Sequence, residues 1–218
     1  LDLEKQAENS YGIVSALTNI GMLHSDKGNV EEALKAHEEA LTINQQLLDT
    51  LGMSDSYNNI GEIHYKNNDT EYALHFYNKA LKLKELIYDT RGMANAYNNI
   101  GAIYLSQNKL LKAKDLQKKA LALQEYLYDQ QGKVFSLNAL GSIALKENKF
   151  NEAKVYYKEC ESLALKYNYY SDLRDAYLGL SAVYASDNKF KTAYTYHNKF
   201  VLLKDSLLES QKSKELSE

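Results

Sequence analysis

Apolar side chains recur every three or four residues along almost the whole chain, which is the spacing of one face of an α-helix. In the stretch 49–89, a first run of this kind contains Tyr57 and Ile60, and a second run contains Leu74. The polar stretch 66–69 separates the two runs, and its third position is glycine or asparagine in every unit. These residues tolerate the left-handed conformation that ends a helix. The pattern predicts a helix, a tight turn and a second helix.

This helix pair recurs with a period of 40 residues, most clearly at the small side chains. Glycine marks two positions of the first helix, and alanine marks one position of the second helix. These residues are Gly12, Gly52, Gly92 and Gly132, then Gly21, Gly61, Gly101 and Gly141, and finally Ala33, Ala73, Ala113, Ala153 and Ala193. A fixed period of a few tens of residues indicates stacked structural repeats.

The period also sets the expected boundaries. Residues 1–9 align with the second helix of the following unit, so we expect them to be the end of a truncated preceding repeat. Five repeats are expected at 10–49, 50–89, 90–129, 130–169 and 170–209, followed by a polar helical tail at 210–218, all in one continuous domain.

Two interpretations of the junction between repeats remain open. Asn9, Asp49, Asp89 and Asp129 align just before each first helix and could serve as N-caps. Alternatively, the glycine three residues later is itself the turn.

Small residues at fixed positions suggest how the helices pack. Gly61 and Ala73 would let the two helices of a repeat approach closely, while Tyr77 and its equivalents fill the space between repeats. Most of the 19 tyrosines are expected at such core positions. Cys160 aligns with alanines of the other repeats, so we interpret it as a small buried hydrophobic residue.

The second unit carries a recognisable signature: Tyr57, Ile60, Gly61, His64, Ala73, Tyr77 and Ala80. This sequence resembles the tetratricopeptide repeat, whose pattern is W-x2-L-G-x2-Y followed by A and F. The chain lacks proline, including the terminal proline of that pattern, and its period is longer than usual. It is therefore similar to the long-helix variant seen in the kinesin light chain and in bacterial sensor kinases and regulators. The resemblance implies an all-α, right-handed superhelical solenoid of helix-turn-helix repeats.

The last helix continues into polar sequence after residue 209, without the glycine that opens a further repeat. This tail resembles the helix that leaves the repeat arrays of bacterial sensor kinases and regulators. We therefore expect the chain to be the sensory or regulatory region of a larger bacterial signalling protein.

Composition narrows the possible partners. The chain has 218 residues, is 44% hydrophobic and has a net charge of −3, so it lacks the basic excess of a nucleic-acid-binding protein. No apolar run is long enough for a membrane span. The compartment stays open: the cytoplasm is favoured, and the periplasm is possible if a membrane helix follows in a longer protein.

No sequence motif points to catalysis. We find no phosphate-binding glycine loop, nucleophile elbow or H-E-x-x-H motif. Histidines share repeat positions with tyrosine and alanine, which is typical of packing, so we expect no metal and no cofactor. An enzyme with an unrecognised site is retained only as a remote alternative.

The resemblance places ligand contacts on the first helix of each repeat, on the concave side of the array. Carboxamides recur there, and an amide side chain can both donate to and accept from the backbone of an extended peptide. The expected peptide-binding residues are Asn19, Asn58, Asn59, Asn98, Asn99, Asn138, Asp55, Asn95 and Glu62.

Two carboxylates and no basic residue occupy these groove positions, which favours a neutral to mildly basic protein segment or extended peptide as partner. The alternative is that the asparagines are solvated filler and that the array is a self-assembly module forming homo-oligomers.

Overall fold

Ten α-helices and no strand make up residues 2–215, which are the residues that the computed structural model describes; its side chains are described from residue 9 to residue 213. The helices are α1 (Asp2–Asp26), α2 (Val30–Gln46), α3 (Thr50–Lys66), α4 (Thr70–Leu86), α5 (Thr90–Ser106), α6 (Leu110–Tyr126), α7 (Gln130–Lys146), α8 (Phe150–Tyr167), α9 (Tyr170–Ser186) and α10 (Phe190–Glu215). The predicted all-α fold of repeated helix pairs is confirmed.

Helix α1 differs from the expectation at its start. It runs without interruption through Asn9, so this residue is not an N-cap and no turn separates residues 2–9 from the first repeat. An asparagine at this position is a weak signal of a helix start, since the repeats in which a helix does begin there have Asp49, Asp89 and Asp129.

The turn inside each helix pair forms as predicted. Gly28 has a φ of 76°, and Asn68 at the same repeat position has a φ of 60°. Both adopt the left-handed conformation that satisfies the last carbonyl groups of a helix. The equivalent residues Asn108, Asn148 and Asn188 share this conformation.

The turns between helix pairs are equally short, and here the N-cap interpretation is correct. The Asp49 carboxylate accepts a hydrogen bond from the Gly52 backbone N–H at 3.0 Å, and Asp129 does the same for Gly132. The preceding residues, Leu48, Tyr88 and Tyr128, have φ values of 55°, 56° and 54°. This second set of left-handed residues was not predicted, because neither leucine nor tyrosine favours that conformation.

The helices form two compact units, divided between Ile103 and Tyr104 within α5. In the first unit α1 packs on α2, α2 on α3 and α3 on α4. Gly61 confirms the predicted close approach, because a Cβ atom there would lie 2.8 Å from Cδ1 of Tyr77.

In the second unit α7 packs on α6, α8 and α9, α8 also packs on α9, and α9 packs on α10. Val134, Leu180 and Val183 lie in its core. Cys160 is fully buried in the same core, as expected.

The expectation that most tyrosines lie in the core is wrong. Four are buried, and nine are exposed because they lie on the outer faces of helices or at turns, where the ring contacts solvent. The exposed ones are Tyr11, Tyr65, Tyr72, Tyr88, Tyr126, Tyr128, Tyr167, Tyr170 and Tyr194.

Candidate functional site

The first helices of the first two repeats line a surface cavity of about 270 Å³ in the first unit. Three predicted residues, Asn19, Asp55 and Asn59, lie in its wall, and Asn44 of α2 also lines it. The complete lining is Val14, Ser15, Thr18, Asn19, Asn44, Gly52, Asp55, Ser56 and Asn59. We call this the upper cavity.

A second, smaller cavity of about 90 Å³ lies further along α1 and α3, and we call it the lower cavity. Asn59 lines both cavities, and the predicted residue Glu62 joins it here. The lining is Met22, Ser25, Asp26, His37, Asn59, Glu62, Ile63 and Lys66. The two cavities therefore follow one crevice between α1 and α3, which we call the α1–α3 crevice.

Each cavity has a buried polar residue of α2 among its lining residues. Asn44 is 1% exposed; its Nδ2 donates to Oγ of Ser56 at 3.1 Å, while its Oδ1 has no hydrogen-bond partner. His37 is 2% exposed, and its Nδ1 also lacks a partner. Burial lowers the pKa of the His37 imidazole below its usual value, and the nearby Glu62 carboxylate opposes this effect.

The carboxylates of the crevice have lysine partners that the sequence analysis did not identify. Nζ of Lys84 lies 2.8 Å from Asp55 and 3.4 Å from Asp89. Lys84 belongs to the last turn of a second helix, so the pattern of first-helix positions gives no sign of it. Lys66 lies 3.0 Å from Glu62, and its distance to Asp26 is 3.8 Å.

The remaining predicted asparagines of the first unit lie on α3 and α5. Asn99 donates from Nδ2 to Oδ1 of Asn58 at 3.2 Å, which links the two helices. Asn98 is buried, whereas Asn95 is exposed. The carboxamides thus form two groups. Asn19 and Asn59 line the crevice, whereas Asn58 and Asn99 form a hydrogen bond between two helices.

Asn138 belongs to the second unit. Its Nδ2 donates to the backbone carbonyl of Asp172 at 2.9 Å, which ties α7 to α9, while its Oδ1 is buried without a partner.

The described residues contain no group of three or more histidine, cysteine, aspartate or glutamate side chains that could hold a metal ion. Across the same part of the chain, no helix is both long and apolar enough to cross a membrane.

A sequence model of the tetratricopeptide repeat matches residues 12–85 and 92–166, which together make up more than half of the chain. No curated protein matches the sequence.

Several solved structures share the fold. BtubC (BKLC) from P. vanneervenii superimposes with a TM-score of 0.76 at 19% identity, over 95% of this chain and 92% of that one. Aspartyl phosphate phosphatase F from Bacillus subtilis gives a TM-score of 0.78 at 16% identity, over 94% of this chain and 54% of that one. A Rap protein complexed with Competence and Sporulation Factor gives 0.74 at 15% identity, over 88% of this chain and 54% of that one.

Proposed function

Because the chain belongs to the tetratricopeptide repeat family, whose repeats are generally protein-interaction scaffolds, we propose that it binds an extended segment of another protein in the α1–α3 crevice. The observation that carries this proposal is that two adjoining cavities share Asn59 and are lined by first-helix positions of two successive repeats. Such a fold is typically a non-catalytic scaffold, and we propose a binding role without catalysis.

The chemistry of the crevice suits a peptide backbone. Asn19 and Asn59 each offer an amide donor and a carbonyl acceptor, which are the groups that pair with backbone carbonyl and N–H groups. Ser15 and Thr18 add hydroxyl groups, which donate and accept as well. These contacts would hold an extended segment largely independently of its side chains.

The charge of the crevice favours a neutral to mildly basic segment. Three carboxylates, those of Asp26, Asp55 and Glu62, line the crevice, whereas Lys66 is the one lysine or arginine among its lining residues. The acidic excess disfavours an acidic segment.

Selection from a display library of short random peptides, followed by fluorescence polarisation with the selected sequences, tests the proposal. Asn59→Ala is expected to weaken binding by about 1–3 kcal/mol, since peptide amides would lose their partner. This corresponds to a Kd increase of about fivefold to 150-fold.

Asn78→Ala is the matched control, because Asn78 is an exposed asparagine of α4 outside the crevice. Both variants are expected to melt close to the unchanged chain, since exposed and half-exposed polar substitutions usually have small effects on stability. Equal affinity of the two variants would contradict binding at Asn59.

We further propose that the binding is regulatory and that the chain acts within a larger bacterial signalling protein. Two structural neighbours, the aspartyl phosphate phosphatase and the Rap protein bound to Competence and Sporulation Factor, are the basis of this suggestion. The full-length protein tests it: a kinase, phosphatase or DNA-binding region next to the repeats would support it.

Self-association is a second candidate function, favoured by the outer face of α1. Ile20 and Leu23 are 47% and 55% exposed, whereas their equivalents in the second repeat, Ile60 and Ile63, are 1% and 3% exposed. The face that other first helices bury is therefore open on α1, and either a preceding repeat or a second copy could cover it.

Light scattering over a range of protein concentrations separates this candidate from peptide binding. Self-association through this face predicts a mass that rises with concentration and returns to that of a monomer in Leu23→Glu. A monomer at every concentration would remove self-association, and it would leave the crevice proposal unaffected.

A further inference from the structure

The upper cavity offers hydrogen-bond acceptors and a negative charge at one place. Oδ1 of Asn44 is a buried acceptor without a donor, and the Asp55 carboxylate lies in the wall of the same cavity. None of its nine lining residues is lysine, arginine or histidine. A buried acceptor left without a donor is unfavourable, so a ligand group that brings donors would gain from entering.

The ion pair beside the cavity does not cancel this charge. Lys84 is buried and shared between Asp55 and Asp89, so two carboxylates have one ammonium group between them. One negative charge is left over. A positively charged ligand group at Asp55 would balance it.

The repeat gives an internal comparison for Asn44. Gln124 occupies the same position two repeats later, and its Oε1 accepts a hydrogen bond from Oγ of Ser136 at 2.7 Å. Asn44 instead donates to the equivalent serine, Ser56, whose hydroxyl donates to the Gly52 carbonyl at 2.9 Å. At Gln124 the serine hydroxyl donates to the amide oxygen, whereas at Asn44 the equivalent hydroxyl donates to Gly52, so the buried Oδ1 of Asn44 has no donor.

We propose that the upper cavity is a subsite for a basic side chain, arginine or lysine, of the bound peptide. The proposal rests on peptide binding in the α1–α3 crevice and adds the residue class that the crevice selects. An ammonium group brings three donors and a guanidinium group five, with a positive charge and no acceptor. Either can donate to Asn44 and Asp55 together, while an acidic side chain would add only acceptors to a site already rich in them.

The test uses small probes, so that it does not depend on a complete peptide. Capped single amino acids (N-acetyl, N′-methylamide derivatives of arginine, lysine, glutamine and glutamate) are titrated into isotope-labelled protein, and the side-chain amide resonances of Asn19, Asn44 and Asn59 are followed by NMR. The arginine and lysine probes are expected to give saturable shifts, with affinities at least about tenfold above those of the glutamine probe. The ratio between the arginine and lysine probes tells which of the two the subsite prefers.

Two variants test the residues. Asp55→Asn is expected to weaken the basic probes by about tenfold or more, whereas Asp175→Asn, at the same repeat position in the second unit, leaves them unchanged. Asn44→Leu removes the buried acceptor and should abolish the shifts at Asn19 and Asn59 while the protein keeps its helical circular dichroism. If Asn44→Leu does not fold, the comparison of Asp55→Asn with Asp175→Asn decides.

The outcomes separate the subsite from the proposed function. Equal shifts with the glutamine probe, stronger shifts with glutamate, or no saturable shift with either basic probe would overturn the subsite. If selected peptides bind through Asn59 but tolerate glutamine in place of each basic residue, the subsite is wrong and the crevice proposal stands. If the basic probes bind and no peptide depends on Asn59, the subsite stands and the crevice proposal is wrong.

Discussion

His37 shows how one repeat position can hold different side chains with the same packing role. Its equivalents Tyr77, Gln117 and Tyr157 are buried, as it is, and a Cβ atom on Gly21 would lie 2.5 Å from Nε2 of His37. Histidine is the one of these residue types that titrates near neutral pH. Burial makes protonation of His37 unfavourable, so the first repeat carries a sensitivity to acid that a tyrosine or glutamine there would not have.

We therefore predict that the first unit loses stability at acid pH through His37. The pKa of His37 in the folded chain is lower than the unfolded value of 6.5, so the unfolded chain binds more protons as the pH falls. The stabilisation is present above the unfolded pKa and is lost as the pH falls through the folded pKa. Thermal melts of the unchanged chain and of His37→Gln, from about pH 7 to about pH 5, check this.

The difference in melting temperature between the unchanged chain and His37→Gln is the quantity to follow, because carboxylates titrate in both proteins. The melting temperature of the unchanged chain should fall more steeply with acidification than that of His37→Gln. His197→Gln is the control, since His197 has the same repeat position but is exposed. Parallel curves of melting temperature against pH for all three proteins would show that the acid sensitivity does not come from His37.

At the scale of single residues, the sequence predicted the helix face on which a residue lies better than it predicted the contacts of its side chain. It placed Asn19, Asn59 and Glu62 on the helix face that lines the crevice, because helical period alone decides which positions share a face. It did not predict the Lys84–Asp55 ion pair, because the two residues lie on different helices and meet only through packing. The burial of tyrosines was overestimated because many of them, such as Tyr65, Tyr126 and Tyr128, lie outside the signature positions of the repeat and are exposed.

At the scale of the helices, aspartate N-caps mark the start of the first helix in successive repeats. We predict that Asp129→Ala destabilises the chain by about 1 kcal/mol, because the Gly132 N–H loses its side-chain acceptor. Asp69→Ala is the comparison: Asp69 stands at the N-cap of α4, but its side chain makes no capping bond. Urea denaturation followed by circular dichroism should show the larger loss for Asp129→Ala, and equal losses would contradict the role of this cap.

The left-handed residue before each of these aspartates leads to a prediction of the opposite sign. Tyr128 is exposed and has a φ of 54°, a conformation that costs most residues about 1–2 kcal/mol but that asparagine tolerates. Tyr128→Asn should therefore raise the free energy of unfolding by up to about 1 kcal/mol. Asn168 has the same repeat position and a φ of 61°, so Asn168→Tyr should lower it. Denaturant melts in which the two changes act in the same direction would contradict this account.

The two kinds of turn also show what sequence can predict about helical elements. Turns within helix pairs contain glycine or asparagine, which directly indicate a left-handed residue. Turns between pairs were predictable only from the aspartate caps that follow them. The continuous helix through Asn9 was not predicted, because asparagine can also serve as an N-cap and Gly12 follows it at the same spacing as in the other repeats.

At the scale of the whole molecule, each repeat depends on the next one to bury its polar and apolar groups. Asn44 of the first repeat reaches Ser56 of the second, and Gln124 of the third reaches Ser136 of the fourth. Lys114 of the third repeat lies 3.3 Å and 2.8 Å from Glu147 and Glu152 of the fourth. These contacts join helices of neighbouring repeats, so their contribution to stability is absent from any single repeat.

We therefore predict that the fragment 10–50 is largely unfolded, although it contains the residues of one complete helix pair. In this fragment Asn44 would lose its serine partner, and α2, on which Ala36 and Ala40 are buried in the intact chain, would lose its packing against α3. Stacked repeats generally need about three units for stability, so the fragment 10–130 is the control. Circular dichroism at increasing temperature should show a cooperative loss of helix for 10–130 and weak, gradually declining helix for 10–50. A cooperative melt of the shorter fragment would mean that one helix pair is stable by itself, and the contacts between repeats would then be unnecessary for its folding.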